Sequence, residues 1–204
     1  MTKSVPTEKQ NQILKAAADA FLENGYQNTS MDHIAARAGV AKQTLYNYFG
    51  NKDTLFVAVA GQMCECEDAF MASAAVVGQD VEKVLQIYAQ RKLADLSSTE
   101  NSAVFRMMIA EALRFPSLGR MFFEAGMEKD RQLLVTFLQR QDAAGNLQVD
   151  DAEQAALFFQ GALNAYFRPK YIMTGENSAS EAIQKHIDYC IQKFLLLYRP
   201  ASTR

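Results

Sequence analysis

Six of the seven residues from Lys42 to Tyr48 carry polar groups: Lys42, Gln43, Thr44, Tyr46, Asn47 and Tyr48 supply one ammonium, two amides, one hydroxyl and two phenols. A side-chain amide can address a donor and an acceptor on one base edge, and ammonium and hydroxyl groups can address phosphate oxygens. The chemistry of this cluster is therefore that of a surface laid against duplex DNA. At about 100° per residue, Leu45 and Phe49 share the buried side of a short helix. Gln43, Thr44 and Asn47 then face outward, flanked by Tyr46 and Tyr48, with Lys42 at the helix start. A solvated surface helix has the same wheel, so this face alone leaves both readings open.

The flanking residues predict the elements that position it. A preceding helix begins at Thr29 or Ser30, where a side-chain oxygen can cap free amides, and Thr29-x-x-Asp32 has capping-box spacing. Ile34, Ala35 and Ala38 face inward, Gly39 takes the positive φ that ends the helix, Val40 plugs inward, and a second helix runs from Ala41 to about Tyr48. Upstream, Thr7 caps a helix whose stripe is Ile13, Leu14, Ala17, Ala18, Phe21 and Leu22, ended by Gly25. Downstream, Asn51 caps a fourth helix, with Lys52 opening it and Leu55, Phe56, Val59 and Met63 turned inward. Thr29, Ser30 and Lys52 join the cluster as candidate DNA contacts.

The run Gly39-Val40-Ala41-Lys42-Gln43-Thr44-Leu45-Tyr46-Asn47-Tyr48-Phe49-Gly50-Asn51-Lys52-Asp53-Thr54-Leu55 follows Phe21-Leu22-Glu23-Asn24-Gly25-Tyr26 and Thr29-Ser30-Met31. Together these resemble the N-terminal signature of the TetR family of transcriptional regulators, over roughly residues 10 to 60. Gln43 departs from a frequent glycine of the family, and Asn47 and Tyr48 from a frequent aromatic and histidine; these differences bear on which operator is read. The resemblance implies an all-α protein in which residues 1–50 form a helix-turn-helix DNA-binding domain and 51–204 a larger helical regulatory and dimerisation domain. It also implies a fourth helix that converts ligand occupancy into a shift of the reading head.

Composition sets bounds. A 204-residue chain with 49% hydrophobic content can pack a sizeable core. With no long apolar run and no signal-type leader, the expected location is the cytoplasm, without a membrane partner. Cys64, Cys66 and Cys190 form no disulfide pattern, and Cys64 and Cys66 point to different sides of a helix, so neither a metal site nor a cofactor is expected. The net charge is −2. Residues 1–60 hold six Lys/Arg against five acids and the remainder fifteen against eighteen, so affinity for phosphates must come from placement more than from bulk charge. Lys3, in a polar N-terminal arm, is one further cation that could reach DNA.

From Asp80 the pattern stays helical, at about 80–96, 100–114, 117–125, 127–143, 151–173 and 179–198. Pro169 should bend or interrupt the fifth of these. Ser178-x-x-Glu181 can box the last one. Phe158, Gly161 and Ala162 on one helix and Ile183, Ile187, Cys190, Ile191 and Phe194 on the next form apolar stripes that serve equally as intrachain core or as a two-fold interface. Because TetR-like proteins pair through their last two long helices, the resemblance favours the homodimer, whose two heads would read a near-palindrome. Met63, Arg106, Met107, Phe122, Phe123, Phe159 and Tyr166 are candidates to line a pocket for a small apolar or amphipathic effector. Residues Phe105 to Pro116 are similar to the AefR-like branch of the family.

The reading that results is a DNA-binding regulator, most simply a repressor that leaves its operator when the effector binds. A ligand-dependent activator is the near alternative. An all-helical enzyme finds little support, since His33 and His186 have no partner at ligand or triad spacing. A purely protein-binding adaptor leaves the polar face at 42–48 without a use.

Overall fold

The computed structural model describes residues 7–71, 80–94, 99–176 and 178–200, with side chains described for all of these except 62–71, 94 and 99–102. The expected arm with Lys3 and the side chains of Met63, Cys64 and Cys66 lie outside that set. The described residues form helices and connecting turns. The elements are α1 (Glu8–Asn28), α2 (Met31–Arg37), α3 (Lys42–Phe49), α4 (Lys52–Met71), α5 (Val81–Ala94), α6 (Thr99–Arg114), α7 (Pro116–Phe122), a π-helical stretch (Phe123–Glu128), α8 (Lys129–Ala143), α9 (Ala152–Asn164), α10 (Phe167–Thr174) and α11 (Ser180–Tyr198). The chain divides into two compact units, one of residues 1–63 with 103–126 and the other of 64–102 with 127–204.

The first unit packs α1 to α4 around Ile13, Ala17, Phe21, Ile34, Leu45, Leu55 and Phe56, and the same core takes Val104 and Met108 from α6 and Leu118 from α7. Thr7 and Gln10 form a reciprocal capping box at the start of α1. Gly25 leaves helical geometry at φ 74°, ψ 167°, so the chain kinks there and Tyr26 turns inward. Its ring meets Phe56 at 4.9 Å and Phe115 at 5.1 Å. At Gly119 a Cβ would stand 2.8 Å from the Ala112 methyl, so only glycine lets α7 approach α6 this closely.

The second unit is built on α5, α8, α9, α10 and α11. Its core joins Leu85 and Tyr88 of α5, Leu134 and Leu138 of α8, Phe159 and Leu163 of α9, and Ile191 and Phe194 of α11. Asp151 caps α9 by accepting from the amides of Glu153 and Gln154 at 3.0 and 3.1 Å. The expected helix over 151–173 is two helices. Pro169 has no amide hydrogen and its ring clashes with the carbonyl four residues back, and the break falls there, at Ala165 and Tyr166. The expected box from Ser178 is absent: Ala179 is the N-cap of α11, and it makes no side-chain cap.

A buried polar group crosses this unit. The Asp130 carboxylate of α8 accepts from Lys92 Nζ at 2.6 Å, from Gln160 Nε2 at 2.6 Å and from the Tyr88 hydroxyl at 3.0 Å. Asp130 is 2% exposed, so its charge is held by its partners rather than by water.

Four residues assigned to a dimer stripe belong instead to the chain's own core: Ile187, Cys190, Ile191 and Phe194 are at most 7% exposed and pack against α5 and α9. Ile183 and Ala162 are partly buried at the edge of that core. Phe158 of the same stripe stays exposed on α9, beside Leu157, and α11 exposes Tyr189, Leu196 and Leu197. The apolar arc of α11 is simply wider than one contact. Its centre was taken up inside the chain, leaving its flank exposed.

Candidate nucleic-acid interface

Helix α2 starts at Ser30, whose Oγ accepts from the His33 amide at 3.1 Å. It ends at Ala38, and Gly39 follows at φ 62°, a conformation that costs a side-chain-bearing residue dearly. The Val40 amide then donates to Ala35 O at 3.0 Å, which folds the chain back so that Val40 packs on the core. Gln12 of α1 donates to Ala38 O at 2.8 Å, and Arg37 grips Glu23 of α1 through two bonds of 2.6 and 2.7 Å. Both contacts fix the turn against α1.

Helix α3 buries Leu45 completely and Phe49 nearly so. Gln43, Tyr46, Asn47 and Tyr48 are exposed, and Thr44 is half-buried. Gln43 Nε2 donates to Asn47 Oδ1 at 2.9 Å, one helical turn away, which lines both amides along a single outward edge. No side chain caps the start of α3; the Thr44 amide donates to Ala41 O at 2.9 Å, which leaves the Lys42 and Gln43 amides for an oxygen ligand. Lys42 reaches back to Asp32 of α2 at 2.7 Å, and the carboxylate holds the ammonium pKa above its ordinary value. A short, rigid, polar helix face of this kind fits the width of a major groove.

Two candidates have other work. Thr29 is 1% exposed, with its hydroxyl 2.8 Å from Gly25 O and 3.1 Å from Ala20 O, so it closes the end of α1 and cannot meet DNA in this arrangement. Lys52 donates to three carbonyls, Tyr26 O at 2.9 Å, Thr29 O at 3.0 Å and Gln27 O at 3.3 Å, and its ammonium lies 4.3 Å from the Tyr26 ring centre. It neutralises the carbonyl end of α1. Reading by sequence offset missed the surroundings of Tyr26. The Tyr26 hydroxyl donates to Asp53, and its amide donates to the buried Glu111 of α6 at 3.2 Å. Burial and the Asp53 carboxylate together push the phenol pKa far upward. No local pattern announces such a contact, because Tyr26 and Glu111 lie 85 residues apart.

The candidate effector residues are divided between the units. Arg106 and Phe123 are exposed, and Met107 and Phe122 pack partly buried on the first unit's core. In the second unit Phe159 is fully buried core and Tyr166 is 62% exposed. None of them lines the groove of about 360 Å³ between α5 and α11, whose walls include Glu82, Asp188, Leu195 and Arg199. Among the histidines, His186 has Nε2 3.0 Å from Ala162 O and 3.5 Å from Cys190 Sγ. Burial holds the Cys190 thiol pKa above its ordinary value.

A glycine-turned helix pair with an exposed polar second helix, packed on the core it shares with α1 and α4, has the form of a helix-turn-helix DNA-binding unit. The comparisons sharpen this. Residues 13–59 match the family model of bacterial regulatory proteins, tetR family, and residues 83–200 match that of the AefR-like transcriptional repressor, C-terminal domain. The chain belongs to the TetR family. A TetR-family transcriptional regulator structure from Mesorhizobium loti MAFF303099 is 32% identical, with 97% of this chain and 100% of that one covered and a TM-score of 0.79. The flavonoid-responsive regulator FrrA is 31% identical over 95% of this chain and 98% of its own, with a TM-score of 0.74. The transcriptional activator FasR of Mycolicibacterium smegmatis is 46% identical over 52 residues, 26% of this chain; the chain spans only 24% of FasR's length. Among the described residues no helix is long and apolar enough to cross a membrane.

Proposed function

We propose that this regulator works as a cytoplasmic homodimer that represses transcription from a palindromic operator and is released from it by a small apolar or amphipathic ligand. The observation that carries the DNA-reading part is the outward edge of α3, where Gln43 and Asn47 are aligned by their mutual hydrogen bond beside the exposed phenols of Tyr46 and Tyr48. Ser30, Lys42 and the open amides of α3 supply phosphate contacts around it. The repressing sign is supported by the AefR-like repressor match over 83–200, whereas FasR, an activator, matches over 52 residues alone. The similarity to flavonoid-responsive FrrA supports an effector with extended apolar surface.

Selection of bound fragments from the genome of origin, followed by footprinting, tests this reading. The expected footprint is two half-sites centred about 34–36 Å apart. Tyr46→Ala and Asn47→Ala should each cost about 1–3 kcal/mol of operator affinity if they touch base edges. Wild-type affinity in both variants removes α3 from base readout. Release of the operator by flavonoids, scored on the same fragment, tests the effector class.

The pairing surface we assign is the outward face of α9 and α11, where Leu157, Phe158, Tyr189 and Leu197 stand exposed. A specific interface needs about 800 Å² from each partner, which two helices of this length can provide. Phe158→Glu would bury a charge in each copy of such an interface. The expected result in sedimentation velocity is a shift from dimer to monomer; an unshifted dimer would place the interface elsewhere.

A further inference from the structure

Between Ser30 and Leu55 the chain has three Lys/Arg side chains, and each is engaged within the protein. Arg37 is held in a two-pronged grip by Glu23, with Asp19 at 3.6 Å. Lys52 is spent on three carbonyls. Lys42 meets both oxygens of Asp32, at 2.7 and 2.9 Å. These pairs differ in one respect: the Lys42–Asp32 side chains are 58% and 64% exposed, so a phosphate can reach that ammonium without disturbing the core. The two carboxylate oxygens stand at the distances that phosphate oxygens would take from the same nitrogen.

We infer that Asp32 is an internal stand-in for a DNA phosphate, holding Lys42 beside α3 and setting the electrostatic share of this regulator's DNA affinity. The inference rests on the placement of Lys42 at the DNA surface proposed above. In the free protein the pair is close to neutral, so Lys42 brings almost no condensed counterions off the duplex when a phosphate replaces Asp32. The displaced carboxylate then faces the duplex and repels it. Asp32 thus acts as a brake on sequence-independent capture, and discrimination is left to the amide and phenol edge of α3. A placement of Asp32 in the first turn of α2 purely for the helix dipole would affect stability and leave salt dependence alone.

The test measures binding of the full chain to a fluorescein-labelled 30-base-pair duplex of random sequence as salt is varied. This probe needs no knowledge of the operator. Asp32→Asn should tighten binding at 0.15 M salt by on the order of tenfold per dimer and steepen the log–log salt slope by about 0.9 per chain. Glu181→Gln on α11 makes the same change in net charge and should leave the slope as it is. The Asp32→Asn gain should shrink in a Lys42→Gln background to the share that comes from relieving the carboxylate's own repulsion of the duplex. Equal slopes for wild type and Asp32→Asn, with Lys42→Gln weakened, would overturn the role of Asp32 while leaving Lys42 at the interface. Wild-type binding by Lys42→Gln would remove Lys42 from DNA and the inference with it. An Asp32→Asn gain that persists undiminished without Lys42, or is matched by Glu181→Gln, also overturns it.

Discussion

Phe159→Ala is expected to destabilise the protein by about 3–5 kcal/mol, the range for truncating a buried aromatic. For a chain of this size that lowers the melting temperature on the order of 10 °C. Phe159 has no exposed surface; its ring lies 4.9 Å from that of Phe194 on α11 and 6.2 Å from that of Tyr88 on α5. It is the point at which α5, α9 and α11 meet. Truncation opens a hole bounded by three helices that are pinned by the rest of the core, so collapse can fill little of it. Phe159→Leu, which keeps most of the volume, should lose far less. Thermal and urea denaturation of the two variants measure this. The result also decides between two uses of the residue. A side chain lining an effector pocket could be shortened with little loss of stability and a changed ligand response. A melting temperature within a degree or two of wild type would therefore return Phe159 to the pocket and refute its place as core.

Lys92→Met should cost about 3–5 kcal/mol, because it strands the Asp130 carboxylate away from water without its cation. The pair is closed in: the Lys92 side chain is 13% exposed and that of Asp130 2%. Tyr88 and Gln160 remain as donors to Asp130 after the change, and they moderate the loss without cancelling the charge. The second half of the experiment separates charge from shape. Lys92→Met with Asp130→Leu removes both ions together and leaves Gln160 donating to the Tyr88 hydroxyl at 2.8 Å. It should be clearly more stable than Lys92→Met alone, and the difference, read by urea denaturation, is the cost of the stranded carboxylate. A double variant no better than the single one would mean that the ammonium matters by its packing and not by its charge.

The two halves of the chain were unequally readable. Over residues 30–49 the determinants of the helix, turn and helix are local, and α1 adds only the contacts that anchor the turn. Leu45 and Phe49 are one turn apart, and Gly39 stands where a positive φ is needed. The polar side chains of α3 are left over once the buried pair is placed. Such a segment carries its geometry in its own spacing, and the family resemblance added only what that geometry is used for. Where two neighbours could do one job, spacing failed. Thr29 and Ser30 can both cap, and the choice fell to Ser30 because Thr29 is drawn under the end of α1. Lys52 opens a helix in sequence and closes another in space.

What the sequence by itself determined was the all-helical class and the helix, glycine turn and helix of residues 30–49, because those follow from hydrophobic period, caps and glycines within a few residues. Only the tertiary structure decided that residues 103–126 join the first unit, that Asp130, Lys92, Tyr88 and Gln160 converge, and which flank of α11 is left outside. The physical reason is the same each time. An apolar arc or a lone charge states that it needs a partner, but the partner lies tens of residues away, and only the closing of the core selects it.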